Sequence, residues 1–229
     1  MYLSRLLLDP RSRAVRRDLA DCQELHRTVM AAFPKIQPSD GSARERLGVL
    51  HRLEADRRLN HLVLYVQSLE KPDWSHLVPG YLEENPDLEN PACKPVGEKY
   101  RGLKTGAVLA FHLQANPTRK VDKKNQKDGP RWHGKRVELR QEEEQVAWLR
   151  RKGEQGGFDL LAVRVLGQVK EQGRRQRSGG PGSPLTLAAV VFEGHLRITD
   201  AEKFYDLSLA RGIGAGKAYG LGLLSLAPP

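Results

Sequence analysis

Apolar positions change period several times along this chain. Tyr2 to Leu8 is a short, mostly apolar run stopped by Asp9-Pro10, the pattern of a buried strand. A basic segment, RSRAVRRD, follows. From Asp21 onward, Cys22, Leu25, Val29 and Phe33 recur at helical spacing, and Pro34 ends the run. Asp21 suits the N-cap of this helix, with Glu24 three residues on in the reciprocal place of a capping box. Leu47 to Leu53 is ambiguous, whereas His61 to Leu69 (HLVLYVQSL) predicts a strand. Lys71 to Pro95, rich in Pro, Glu and Asn, predicts loop and linker with at most one short helix.

The second half repeats the order more loosely. Ala107 to Ala115 predicts a strand closed by Asn116-Pro117, and the very basic loop TRKVDKKNQKDGPRWHGKR follows. Gln141 to Lys152 predicts an amphipathic helix with Val146, Trp148 and Leu149 toward the core. Phe158 to Val169 is extended, and Gln172 to Pro184 (QGRRQRSGGPGSP) is a Gly-rich basic turn. Leu185 to Phe192 is a buried strand, with a tight turn at Gly194-His195 into Leu196 to Thr199. Asp200 caps a helix to about Arg211, and a glycine-rich loop leads into the last strand, GLGLLSLAP. Each half approximates β-α-β-β-α-β. The fold expected is α+β: two tandem ferredoxin-like (RRM-like) domains, 1–95 and 100–229, with a C-terminal glycine-rich loop.

Composition narrows the partner. The 229 residues are 39% hydrophobic, enough for a real core, and carry a formal net charge of +10. That balance favours a polyanion, nucleic acid before an anionic membrane. Aromatic residues are only 6%, and no clear pair of strand aromatics offers itself for base stacking. The two cysteines, Cys22 and Cys93, have neither CxxC spacing nor a paired histidine motif, so neither a zinc site nor a disulfide framework is expected. The N-terminal apolar run is too short for a signal peptide, and no apolar stretch approaches the roughly 20 residues of a membrane span. The expected location is the cytoplasm.

Arg211 to Pro228 reads RGIGAGKAYGLGLLSLAP, with glycines at 212, 214, 216, 220 and 222. Such a loop adopts positive φ freely, and its amides, those of Gly214 and Gly216 included, suit a phosphate. It is not a Walker loop, since Arg211 and Ala218 stand where Gly and Ser or Thr are required. Nor is it a dinucleotide fingerprint, because Tyr219 occupies the third glycine position.

This loop resembles the C-terminal glycine-rich loop of the repeat-associated RNA-binding superfamily of CRISPR systems, and within it the CasE family. Other segments are similar in order: MYLSRLLLDP to the first strand, SRAVRRDLADCQELHR to the first helix region, LAFHLQANPTRK to a strand and turn. EEEQVAWLRRK and VVFEGHLRITD look like the second-domain helix and hairpin. The resemblance implies a metal-independent endoribonuclease without a cofactor. It would recognise the CRISPR repeat stem-loop, cut precursor crRNA to a 2′,3′-cyclic phosphate and a 5′-OH, and stay with the mature crRNA beside other Cascade subunits.

Of the seven histidines, His26 falls one step off the apolar stripe of its helix, at the rim. A histidine is ordinarily a surface or satisfied core residue, but the resemblance makes this one catalytic, as general acid or base. Three residues earlier, where relatives often carry tyrosine, stands Gln23, an amide that hydrogen-bonds but does not titrate near pH 7. Arg27 and Lys217 are candidates for phosphate charge relief. Lys170, Arg174, Arg175 and Arg177 sit on a hairpin tip that by itself reads as a solvated turn; the resemblance makes Arg174 and Arg175 the best match for the arginines that enter the repeat stem. A second basic run, Arg119, Lys120, Lys123 and Lys124, reads as a solvated flexible loop. A pure RNA-binding subunit, with Gln23 marking lost catalysis, is the competing reading. A general basic nucleic-acid binder unrelated to CRISPR is a third.

Overall fold

A computed structural model describes residues 1–37, 42–56, 61–121, 136–177 and 180–229; at 56, 169–171, 174–177 and 180–183 it describes backbone only. Lys123 and Lys124 lie outside the described residues. The first sheet holds β1 (Tyr2–Leu8), β2 (Leu50–Asp56), β3 (His61–Ser68) and β4 (Ala92–Pro95), in the order β2-β3-β1-β4. Between β1 and β2 come α1 (Arg13–Ala20), α2 (Cys22–Met30) and α3 (Ala43–Arg46), and α4 (Gly97–Arg101) follows β4. The second sheet holds β5 (Val108–Ala115), then, beyond a small ladder of β6 (Thr118–Lys120) with β7 (Arg136–Glu138) and helix α5 (Glu142–Gly156), the long strands β8 (Phe158–Arg177) and β9 (Gly180–Ile198). After α6 (Ala201–Lys203) and a π-helical stretch, Phe204–Ala210, a 3-10 turn at Lys217–Tyr219 precedes β10 (Leu224–Ala227). The order is β10-β5-β9-β8, and the pairs in both sheets are antiparallel.

Each sheet carries its own core. In the first, Leu6 and Leu8 of β1, Leu64 and Val66 of β3, and Val15, Leu25 and Val29 of the helices interlock. In the second, Phe111, Leu113, Trp148, Leu149, Phe158, Phe192 and Phe204 do so. Each fully enclosed side chain of this size contributes roughly 1.5–3 kcal/mol. The alternation of strand faces explains what meets at the seam between the sheets. On β2, Leu53 points to the helices and Arg52 points the other way. Arg52 donates to the Leu223 carbonyl and to Ser225 Oγ, each at 2.9 Å, while Gln67 of β3 donates to the Leu209 carbonyl at 2.7 Å.

Several expectations are corrected. The basic segment before Asp21 is helical: α1 buries Val15 and Asp18, and Asp18 accepts hydrogen bonds from Thr28 at 2.6 Å and Tyr81 at 2.8 Å. The stretch read as linker is a strap on β1. Trp74 and Tyr81 enter the core, Asn90 bonds both the N–H and the carbonyl of Leu7, and Ala92–Pro95 adds the edge strand β4. Asp21 does cap α2, accepting from the Gln23 amide at 2.9 Å, but the helix ends at Met30 and Glu24 pairs with Arg27 instead of closing a capping box. On α5 the buried neighbours of Leu149 are Trp148 and Gln145, with Val146 half-buried. Arg119 and Lys120 are strand residues of β6. Gly194-His195 is no turn: β9 runs through it, and a Cβ at Gly194 would meet the Ala162 carbonyl at 2.0 Å beside a bulge in β8. The predicted Gly-rich turn is mostly ladder, the strands pairing out to Arg177 and Gly180.

Candidate active site at the seam of the two sheets

The first turn of α2 stands on the first sheet, and the glycine-rich loop comes across from the second to pack its 3-10 turn against α2 and β2. Gly216 and Gly220 flank that turn with φ of 80° and 82°, a left-handed backbone that other residues adopt only at a cost. Lys217 therefore opens the turn beside α2. Gly214 has φ of 85°, and a Cβ there would lie 3.0 Å from the Trp148 ring, so its glycine is set by packing as well as by backbone.

His26 sits half-buried on α2 and its ring stacks on that of His51 from β2, with centroids 6.1 Å apart and planes 21° from parallel. Burial, then the Arg44 and Arg27 cations, push the His26 imidazole down to about 4, so it is uncharged at neutral pH. His51 is only 1% exposed. Burial and the neighbouring His26 push it down to about 3. Lys217 is also held below its ordinary value, by burial first and by Arg44 next. Arg44, Arg211 and Lys217 line a cavity of about 410 Å³ in which Glu45 is the one carboxylate among the described lining residues, and Arg44 is already bonded to it at 2.9 Å. A second cavity, of about 310 Å³, is lined by Arg136, Lys152 and Lys217 together with Gly214, with no carboxylate among its described lining residues. An uncharged imidazole bordered by cations is suited to proton transfer next to a phosphodiester.

Comparison with known proteins agrees along the whole length. A family model described as CRISPR associated protein matches residues 1–228. The chain belongs to the CRISPR-associated protein family. Within it the chain is of the CasE type. It is 42% identical to CRISPR-associated endoribonuclease Cse3 of Thermus thermophilus over 236 residues, 100% of both chains. It is 38% identical to the CRISPR system Cascade subunit CasE of Escherichia coli over 128 residues, 55% of this chain and 61% of that one. The solved structure of Thermus thermophilus Cse3 bound to an RNA representing a pre-cleavage complex matches with a TM-score of 0.77 and 39% identity, covering 99% of this chain and 98% of that one.

In this CasE-type chain the 3-10 turn that carries Lys217 packs on α2, the helix of His26, and Arg44 acts on both side chains. Gln23, one helical turn before His26, shares its side of α2 and is half-buried. Arg27 is exposed and ion-paired with Glu24. Lys170, Arg174, Arg175 and Arg177 lie on the β8–β9 arm, with backbone partners Ala188, Pro184, Ser183 and Gly180; their side chains lie outside the described residues. The arm reaches α2 where Gly173 abuts Cys22 and Asp21, so close that a Cβ would lie 2.6 Å from the Cys22 sulfur. The arginine-bearing stretch thus departs beside the helix that carries His26. Sequence reasoning missed His51 and Arg44. Neither belongs to a motif: β2 beneath α2 brings His51 to His26, and α3, just before β2, brings Arg44. Among the described residues no group of three or more His, Cys, Asp or Glu gathers as a metal would need, and no helix is long and apolar enough to cross a membrane.

Proposed function

We propose that this chain is a metal-independent endoribonuclease that recognises the CRISPR repeat stem-loop, cleaves precursor crRNA, and stays with the product among other Cascade subunits in the cytoplasm. The carrying observation is His26: an uncharged, half-buried imidazole at the junction of α2 and a cationic glycine loop. The full-length likeness to an RNA-bound endoribonuclease supports the reading.

His26 is the base. It takes the proton of the ribose 2′-OH, the 2′-oxygen attacks the adjacent phosphorus, and the bond from phosphorus to the 5′-oxygen breaks. The leaving 5′-oxygen takes a proton from water, His26 returns its own to solvent afterwards, and the products are a 2′,3′-cyclic phosphate and a 5′-OH. Lys217, on the turn packed against α2, offsets charge on the phosphoryl oxygens, and Arg27 is a second cation once released from Glu24. Gln23 supplies an amide to a ribose or phosphate oxygen. The amides of Gly214 and Gly216 hold backbone phosphate, and Lys170, Arg174, Arg175 and Arg177 engage the repeat stem from the arm. Residues 1–95 and 100–229 are read as two ferredoxin-like (RRM-like) domains. The strand orders support this, since in each sheet the first strand lies between the third and the last and the second strand is outermost. So do the two separate cores.

The test is cleavage of the cognate repeat hairpin in EDTA, with an all-ribose substrate and one bearing a 2′-deoxy residue at the cut. Cleavage of the first alone, leaving a cyclic phosphate, is expected. Cutting of the deoxy substrate, or none of either, refutes the reading.

A further inference from the structure

Buried polar atoms in folded proteins are almost always hydrogen-bonded, because an unpaired one costs about 1–3 kcal/mol. The seam breaks this rule three times at one place. Among the described residues, neither ring nitrogen of His51 finds a hydrogen-bond partner, nor does the buried Nδ1 of His26. The two rings lie face to face. If β2 needed only an apolar wedge beneath α2, phenylalanine or leucine would fill the place without the penalty. His51 is also too enclosed to touch RNA, so whatever it does passes through His26.

We propose that His51 is the positioning residue of His26: its ring nitrogen accepts the Nδ1–H of His26 when His26 holds the proton taken from the 2′-OH. This rests on the reading of His26 as the base. The step moves no further proton. His26 receives one at its outward nitrogen, and its inward N–H, unpaired at rest, turns toward the β2 ring. Hydrogen bonds of this kind are commonly long or misaligned without substrate and tighten when it binds. Burial keeps both rings neutral at rest, and His51, almost fully enclosed where His26 is only half-buried, is the neutral acceptor while His26 holds the proton.

The neighbours leave few other candidates. The charges that act on the pair are Arg27 from α2 and Arg44 from α3, each holding a carboxylate, Glu24 and Glu45; on the β8 side of α2 stand the uncharged Gln172 and Gly173. Both carboxylates are engaged elsewhere, Glu24 by Arg27 and Glu45 by Arg44. Asp18, the buried carboxylate on α1, is taken by Arg17, Thr28 and Tyr81.

The experiment compares His51→Phe, His51→Leu and His51→Gln in the full chain by urea unfolding, hairpin affinity and single-turnover cleavage. Phe and Leu should keep or raise stability and keep affinity, yet lower the cleavage rate about 10–100-fold; Gln, whose amide oxygen accepts a hydrogen bond, should recover much of it. A wild-type rate in His51→Phe, or losses that follow stability in all three variants, overturns the proposal. An inactive His26→Ala beside a fully active His51→Phe defeats this inference and leaves the proposed function standing. An active His26→Ala defeats the function itself. Should Phe and Leu both fail to fold, the ¹⁵N shifts of His26 in wild-type protein with the 2′-deoxy hairpin decide. A hydrogen-bonded Nδ1–H supports the proposal, and a free one overturns it.

Discussion

Two histidines held uncharged in the fold make its stability fall as the medium turns mildly acidic. His26 is pushed down to about 4 and His51 to about 3, whereas an unfolded chain binds their protons near 6.5. A depressed folded-state pKa means that the unfolded state holds more protons across the intervening window. The stabilisation is therefore complete above about pH 6.5 and is lost as pH falls from there toward about 4. One such group changes the unfolding free energy by at most about 1.4 kcal/mol per pH unit, so the pair gives a limiting slope of about 2.7. The carboxyls of Asp9, Asp73 and Asp200 do not mask it, because hydrogen bonds hold them below the usual range and they are protonated only at lower pH. Urea unfolding between pH 7.5 and 4.5 reads the slope directly. His26→Gln and His51→Phe should each remove about half of it, whatever their effect at pH 7.5. A flat profile in the wild type, or a slope untouched in the double variant, would refute the claim that both imidazoles are uncharged in the fold.

Two further outcomes follow from the packing. Arg52, 3% exposed, bonds Leu223 and Ser225 across the seam and Glu54 at 2.5 Å, so Arg52→Ala leaves the buried Leu223 carbonyl unpaired, empties a core position and frees Ser225 and Glu54. We expect a loss of about 3–5 kcal/mol by denaturant unfolding, and a loss below about 1 kcal/mol would contradict the role given to it. Gly214→Ala forces a left-handed alanine against Trp148 and should cost about 2–3 kcal/mol; an unchanged melting temperature would mean that the loop can relax.

Legibility in the sequence followed the range of the forces involved. Helix α2 was readable because its period and its Asp21 cap are local, and both are present. Helix α1 was not, because its eight residues bury only Val15 and Asp18, and Asp18 is held by distant partners. The strap before β4 was misread because its order comes from contacts such as Asn90 with Leu7, 83 positions apart, which no local composition encodes. Strand β2 was ambiguous for a different reason. Leu50, His51 and Arg52 are all buried, since one face meets α2 and the other meets the second sheet, and alternation of polar and apolar residues vanishes when both faces are covered. The β8–β9 arm carries Gly, Pro and Arg where a turn was expected, and only cross-strand pairing extends it. Of the candidate site, His26 and Lys217 were legible as members of recognisable segments. His51 and Arg44 were not, because they are neighbours only in space.

The central claim is that the His26 imidazole performs the proton transfer. The direct measurement is single-turnover cleavage of the cognate hairpin by His26→Ala, with affinity for the same RNA measured in parallel. The rate should fall by about 10²–10⁴ with binding retained. Cleavage by that variant at the wild-type rate would contradict the account.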